Sequence, residues 1–215
     1  MSEKKDICRT GRPTREDAAA LSDHLVATAG ELFLRHGYAA VSINAIASAA
    51  KIAKHTIYRR FADKSALFAE VIRRRTDAIQ HAFDEAAAIS GDPLVGLRVL
   101  GEQLARMALD QEWIALYRMT IAEASRFPEL TPILLAHTGD RLVAVAAELV
   151  AQAQAAGRFA QGDSMFLAQH FMYMMAGRLL QNALAGKSEF DDPEALTGYL
   201  DASWELFLAA VRPAG

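Results

Sequence analysis

The sequence predicts an all-α fold in two parts, and three observations carry that expectation. Apolar residues recur at helical spacing along almost the whole chain, and no segment alternates in the manner of a strand. Alanine is abundant and proline scarce, a composition that favours helix. The charge also divides: residues 1–75 hold 14 Lys and Arg against 8 Asp and Glu, whereas residues 76–215 hold 9 against 18. A basic amino-terminal module joined to an acidic body is the expected organisation, and the basic part suits a polyanion.

With 215 residues and 52% apolar side chains, the chain can bury a substantial core. The lone cysteine, Cys8, has no internal disulfide partner, the first residues lack an apolar signal segment, and no long uncharged apolar run is present. The expectation is a cytoplasmic protein that does not engage a membrane.

Residues 1–15 read as a flexible basic arm. The first helix is expected from Glu16 to His36, with Leu21, Leu25, Ala29, Leu32 and Phe33 on one face and Gly37 as its stop. Ser42 is placed to cap a second helix over Ile43 to Ala50. Lys51 and Ile52 form a turn, and a third helix follows from about Lys54 to Phe61. Asp63 caps a long fourth helix over residues 64–88, with Leu67, Phe68, Val71, Ile72 and Ile79 along one side. This divides the chain into an arm, a head over residues 16–63 and a body over 64–215, with the fourth helix joining head to body.

After Ser90-Gly91-Asp92-Pro93 the helices lengthen. One is expected from Pro93 to about Leu109 and one from Glu112 to Arg126, broken by Phe127-Pro128. Another runs from Glu129 to Ala156, bent near Gly139 and ended by Gly157. The next spans Asp163 to Ala185, and the last Pro193 to Val211. The segment from Phe166 to Leu184 is apolar nearly all round, so it needs a second face to bury. The final helix, with Tyr199, Trp204 and Phe207, shares that property. A homodimer interface containing Tyr173, Gly177, Leu180, Leu184, Tyr199 and Trp204 supplies the second face; the interior of a larger monomer is the alternative.

The stretch from Ser42 to Lys64 carries the chemistry. Two short helices around a tight turn form a helix-turn-helix, whose second helix enters the major groove of DNA. Ile57 and Phe61 stand four apart and anchor that helix, which leaves Lys54, His55, Thr56, Tyr58, Arg59 and Arg60 to face outward. Cations and hydroxyls suit phosphates, and Arg, His or Thr can approach base edges. Ser42 and Asn44 open one helix and Lys64 another, where free backbone N–H groups attract phosphate. Arg12 in the arm can reach a minor groove or remain solvated. Tyr58 is read as a phosphate contact, against the alternative of a half-buried structural tyrosine.

These residues resemble the TetR family of bacterial transcriptional regulators. The matching positions are Leu32-Phe33, Gly37-Tyr38, Ser42, Ile46-Ala47, Thr56-Ile57-Tyr58 with Phe61, and Lys64, continued by Leu67 and Phe68. The likeness covers about residues 17–75 in motif and the remainder in helical layout. Lys51 stands where the family usually has Gly, Ala53 where Ser is common, and His55 where a small residue is common.

The resemblance implies a body that pairs with a second copy and binds a small-molecule effector. Candidate pocket residues are Trp113, Tyr117, Phe166, Phe171 and Met174, with His170, Arg178 and Glu123 as polar members. Arg178 would pair with Glu123 or with an anionic ligand. The expected activity is that of a repressor that binds a palindromic operator in double-stranded DNA as a homodimer and is released by the effector. The alternative is a dimeric interaction protein with the same head and no effector. No cofactor is expected, and His81, His137 and His170 are too scattered to suggest a metal site. No catalytic constellation is visible, so an enzyme is not expected.

Overall fold

The computed structural model describes residues 15–187, 190 and 192–213, without the side chains of 15, 16, 78–90 and 137. Among them every regular element is helical. The order is α1 (Arg15–Ala40), α2 (Ile43–Ala49), α3 (Lys54–Tyr58), α4 (Lys64–Ser90), α5 (Pro93–Leu109), α6 (Gln111–Glu123), α7 (Leu130–Leu135), α8 (Arg141–Ala155), α9 (Ser164–Met172), α10 (Arg178–Leu184) and α11 (Pro193–Ala210). Arg12 and the rest of the proposed arm to residue 14 lie outside the described residues, as do the side chains of Ile79, His81 and His137.

Local chemistry explains most of the boundaries. Asp92, Asp110, Asp163 and Asp192 each accept backbone N–H bonds at the start of α5, α6, α9 and α11. Pro93 and Pro193 occupy the first turn of their helices, where a missing N–H costs nothing. The regular run of α1 is broken at Gly37, whose φ of 78° is the left-handed stop expected there. α3 ends at Tyr58, three residues earlier than expected, although Phe61 still donates to the Ile57 carbonyl at 2.9 Å.

Two apolar clusters organise the packing. One joins α1, α2, α3 and the start of α4 through Leu25, Phe33, Ile46, Ile57, Leu67 and Phe68. Trp113 and Leu116 from α6 and Leu130 and Leu134 from α7 belong to this same cluster. The head is therefore welded to the body across a shared core. The second cluster lies within α5, α8, α9, α10 and α11, around Leu97, Leu100, Ala146, Phe171, Leu179 and Phe207.

The bend expected near Gly139 is a π-helical turn over Ala136–Asp140, between α7 and α8. A second π turn, over Tyr173–Gly177, splits the helix expected from Asp163 to Ala185. A π turn widens the ring and frees carbonyls that need other partners. Near the first, the buried Thr138 hydroxyl donates to the Leu134 carbonyl at 2.7 Å. At the second, the Tyr199 hydroxyl donates to the Met174 carbonyl at 2.7 Å.

Candidate nucleic-acid interface and regulatory cavity

The helix-turn-helix begins at Ser42, whose Oγ accepts the Ala45 N–H at 3.1 Å. Ile43, Ile46 and Ala47 hold α2 on the head core and Ile57 holds α3. The turn between them is a Schellman closure: Ile52 N–H donates to the Ala47 carbonyl at 3.0 Å and Lys51 N–H to the Ser48 carbonyl at 3.2 Å. That closure requires a left-handed residue at position 51, and Lys51 adopts it with a φ of 55°. Among the described residues it is the only non-glycine with positive φ. Ala53 stands at the N-cap of α3 and makes no side-chain capping bond.

Lys54, His55, Tyr58 and Arg59 are exposed, and Thr56 and Arg60 are half-buried. Ser42 and Asn44 are exposed beside them. Lys54 Nζ stands 5.6 Å from the Tyr58 ring centroid, so the two form one cationic, aromatic surface. Among the described residues no ion pair neutralises Lys54, Arg59 or Arg60, whereas Arg73, Arg74 and Arg75 on α4 each pair with a carboxylate. Uncompensated cations on and just after an exposed short helix are what a phosphate backbone requires.

Lys64 differs from its expected role. Its ammonium turns inward and donates to the carbonyls of Tyr38 at 2.8 Å and Val41 at 3.0 Å. It also lies 4.1 Å from the Tyr38 ring centroid. Two of its three donors are thereby committed to closing the α1–α2 connection. Burial draws its pKa below the usual lysine value, against the opposing pull of Glu123 and Glu129. Tyr38 is itself packed against Phe33, Phe68 and Phe127 at centroid distances of 5.1–5.5 Å. Its hydroxyl is pushed up to about 12, chiefly by burial and then by Glu129, Asp63 and Glu123.

A cavity of about 380 Å³ opens in the body between the two π turns. Thr138, Gly139 and Asp140 from the first and Tyr173, Ala176 and Gly177 from the second line it, with Trp113, Tyr117, Met107, Met172 and Gln169. Among the described residues Asp140 is the one charged member of the lining. The sequence-expected pocket residues divide here. Trp113 and Tyr117 line the cavity; the other six do not.

Each of those six has a local reason. Phe171 and Met174 pack with the body core, Phe171 against Trp204 and Phe207. Phe166 and His170 stack on each other at 4.0 Å on an exposed face. Arg178 is exposed and lies 5.8 Å from the Phe190 ring rather than beside Glu123. Glu123 sits at the head, where its two carboxylate oxygens accept the Ala39 N–H at 3.1 and 3.0 Å. The cavity residues that sequence reasoning missed include those of the π turns, for which only the Gly139 bend gave a signal, and residues of the flanking helices such as Met107, Gln169 and Met172.

The residues expected at a dimer interface differ in their exposure. Tyr199 and Trp204 are half-buried against their own body, and Leu180 and Gly177 line the cavity. Leu184 is half-buried. Tyr173, also expected there, is 75% exposed, and the exposed apolar side chains on α9 and α11 are Met165, Phe166 and Leu206, the last at 64% exposure.

Comparison with known proteins agrees with this architecture. Residues 25–71 match the model for "Bacterial regulatory proteins, tetR family", and residues 95–213 match "AefR-like transcriptional repressor, C-terminal domain". The chain belongs to the TetR family of transcriptional regulators. Among TetR-family relatives, the HTH-type transcriptional regulator AcrR of Shigella flexneri is 34% identical over 88 residues, which is 40% of this chain. That match spans only 41% of the relative's own length. Over the whole fold, a TetR-family transcriptional regulator from Mesorhizobium loti MAFF303099 is similar at a TM-score of 0.75 and 28% identity, covering 93% of this chain and 99% of that one. The flavonoid-responsive regulator FrrA is similar at a TM-score of 0.76 and 27% identity, covering 92% and 100%. This TetR-family chain is accordingly a transcriptional regulator with a DNA-binding helix-turn-helix. No helix among its described residues is long and apolar enough to cross a membrane.

Proposed function

We propose that the chain is a homodimeric repressor that binds a two-fold symmetric operator and leaves it when a small aromatic molecule enters the body. Lys54, His55, Thr56, Tyr58, Arg59 and Arg60 read and clamp the duplex, with Ser42 and Asn44 on the flanking phosphates and Arg12 available from the arm. Lys54 on α3 and Arg59 and Arg60 just after it, which have no ion pair among the described residues, carry this reading. Two heads must meet successive major grooves about 34–36 Å apart, so a change in body packing that alters their spacing weakens binding.

The cavity supports the effector part. Its lining is largely aromatic and aliphatic, its volume of about 380 Å³ suits a small ligand, and the one charge among its described residues is negative. That chemistry favours a neutral, flat, hydroxylated molecule over an anionic acyl chain. Similarity to the flavonoid-responsive regulator FrrA points the same way.

Selection of duplexes from a random pool tests the repressor reading. The expected result is a palindromic site, bound with a salt dependence that weakens when Lys54 and Arg59 become Ala; failure to enrich any sequence refutes it. For the effector, the flavanone naringenin is a suitable probe. It is expected to raise the melting temperature of the wild type and not of Ala176→Phe, which fills the cavity.

A further inference from the structure

The short connection between α1 and α2 is held from three sides. Glu123 takes the Ala39 N–H with both carboxylate oxygens, Lys64 takes the Tyr38 and Val41 carbonyls, and Phe127 packs edge-on against the Tyr38 ring. Ser42, which caps the first helix of the DNA-binding motif, follows directly. Whatever fixes residues 37–41 therefore fixes the direction in which the motif leaves α1.

Of these three, Glu123 and Phe127 come from the body. Glu123 ends α6, the same helix whose Trp113 and Tyr117 line the cavity. From Tyr117 to Glu123 is six residues, or about 9 Å along the helix axis. α6 is thus a stiff rod with the cavity against one part and the head connection at its end. The approach is close: a Cβ on Gly37 would lie 3.0 Å from Glu123 Oε1. A glycine there serves both the left-handed backbone and the seating of the carboxylate.

We propose that Glu123 is a positioning residue for DNA recognition: the body sets the orientation of the reading head through its carboxylate on the Ala39 amide, making α6 a second link beside α4. Loosening this contact lets each head sample more orientations, and two heads must dock on one duplex at once. The inference rests on the proposed operator-binding function for its DNA readout and on geometry alone for its structural readout.

The test compares wild type, Glu123→Gln and Glu123→Ala on an operator selected from random duplexes by the wild-type protein, and on a scrambled duplex at low salt. Glu123→Ala is expected to bind the operator about tenfold or more weakly, with scrambled-duplex binding unchanged; a tenfold loss corresponds to ~1.4 kcal/mol. Glu123→Gln keeps one acceptor oxygen and is expected to fall between the two. Equal operator affinity in all three proteins overturns the proposal. Amide exchange supplies a second readout that needs no DNA: protection at Ala39 is expected to fall in Glu123→Ala, and unchanged protection also overturns it. If the wild type enriches no sequence but Ala39 loses protection, the operator reading fails and the positioning contact stands.

Discussion

The ammonium of Lys64 stands 4.1 Å from the centre of the Tyr38 ring and donates at 2.8 Å to that residue's own carbonyl. One side chain at the first turn of α4 thus fixes both the backbone and the ring at the end of α1. Charged hydrogen bonds in partly buried places contribute about 1.5–3 kcal/mol each, and the cation–π contact adds to them. Lys64→Met keeps the aliphatic stem and loses the donors. We expect it to lower unfolding free energy by ~2–3 kcal/mol in chemical denaturation. A loss confined to DNA affinity, with stability intact, would return Lys64 to a phosphate-contacting role.

The turn of the DNA-binding motif contains two correctable defects. Lys51 occupies a left-handed position at a cost of roughly 1 kcal/mol, and Ala53 leaves the start of α3 without a side-chain cap. Lys51→Gly is expected to stabilise the protein by about 1 kcal/mol, and Ala53→Ser by about 0.5–1 kcal/mol, read as a rise in melting temperature. The two changes act on neighbouring turns, so their sum need not be additive. A drop in melting temperature for Lys51→Gly would show that the lysine side chain contributes more than its backbone costs.

The head motif was legible because its pattern is local. Ser42, Gly37, Ile57 and Asp63 each act within a few residues of themselves, through a cap, a stop or a buried anchor. Gly139 likewise marked a bend that proved to be a π turn. The pocket was not legible. Whether Phe171 faces a cavity or a core depends on where Trp204 and Phe207 arrive from α11, which no spacing rule encodes. Glu123 was misplaced for the same reason: its partner, the Ala39 amide, lies 84 residues away. Lys64 matched a family position, but its direction depended on the carbonyls of a distant connection.

Acid should loosen the junction of α1 and α4 through Glu70. This carboxylate accepts bonds from Arg73 at 2.6 and 2.7 Å and from Arg74 at 2.9 Å, and Arg74 continues to Asp23 on α1 at 2.7 Å. The bond from Arg73 chiefly, then Arg74, holds its pKa down at about 2 against an ordinary 4.5. Because the folded value is depressed, the stabilisation is fully present above about 4.5 and is lost as pH falls towards 2. With a partly exposed cluster, the whole effect is expected to be ~1–2 kcal/mol. Glu70→Gln should flatten the stability–pH profile between pH 5 and about 2 relative to wild type. A profile of unchanged slope would remove Glu70 from the acid transition.

The last expectation concerns the exposed apolar face. Phe166, Tyr173 and Leu206 are 55%, 75% and 64% exposed, and they lie on α9, the second π turn and α11. Single exposed apolar residues are ordinary, but several on adjoining elements are candidates for one contact surface. A second copy of the chain meets the geometric need, since a two-fold operator requires a two-fold protein. Covering a leucine recovers about 1.5–3 kcal/mol per side chain, and the two-fold axis counts it twice. Leu206→Glu instead places an uncompensated carboxylate in that surface, at a cost of several kcal/mol. The dimer dissociation constant should therefore rise by about a hundredfold or more, measured by sedimentation equilibrium. Operator affinity should fall with it, while helical content stays that of the wild type. Leu206→Glu separates this face from the cavity, as Leu206 is absent from the cavity lining, whereas Tyr173→Ser removes apolar area from both. If Leu206→Glu remains a dimer of wild-type strength, the subunits pair through another surface, and the exposed set on α9 and α11 must serve a different partner.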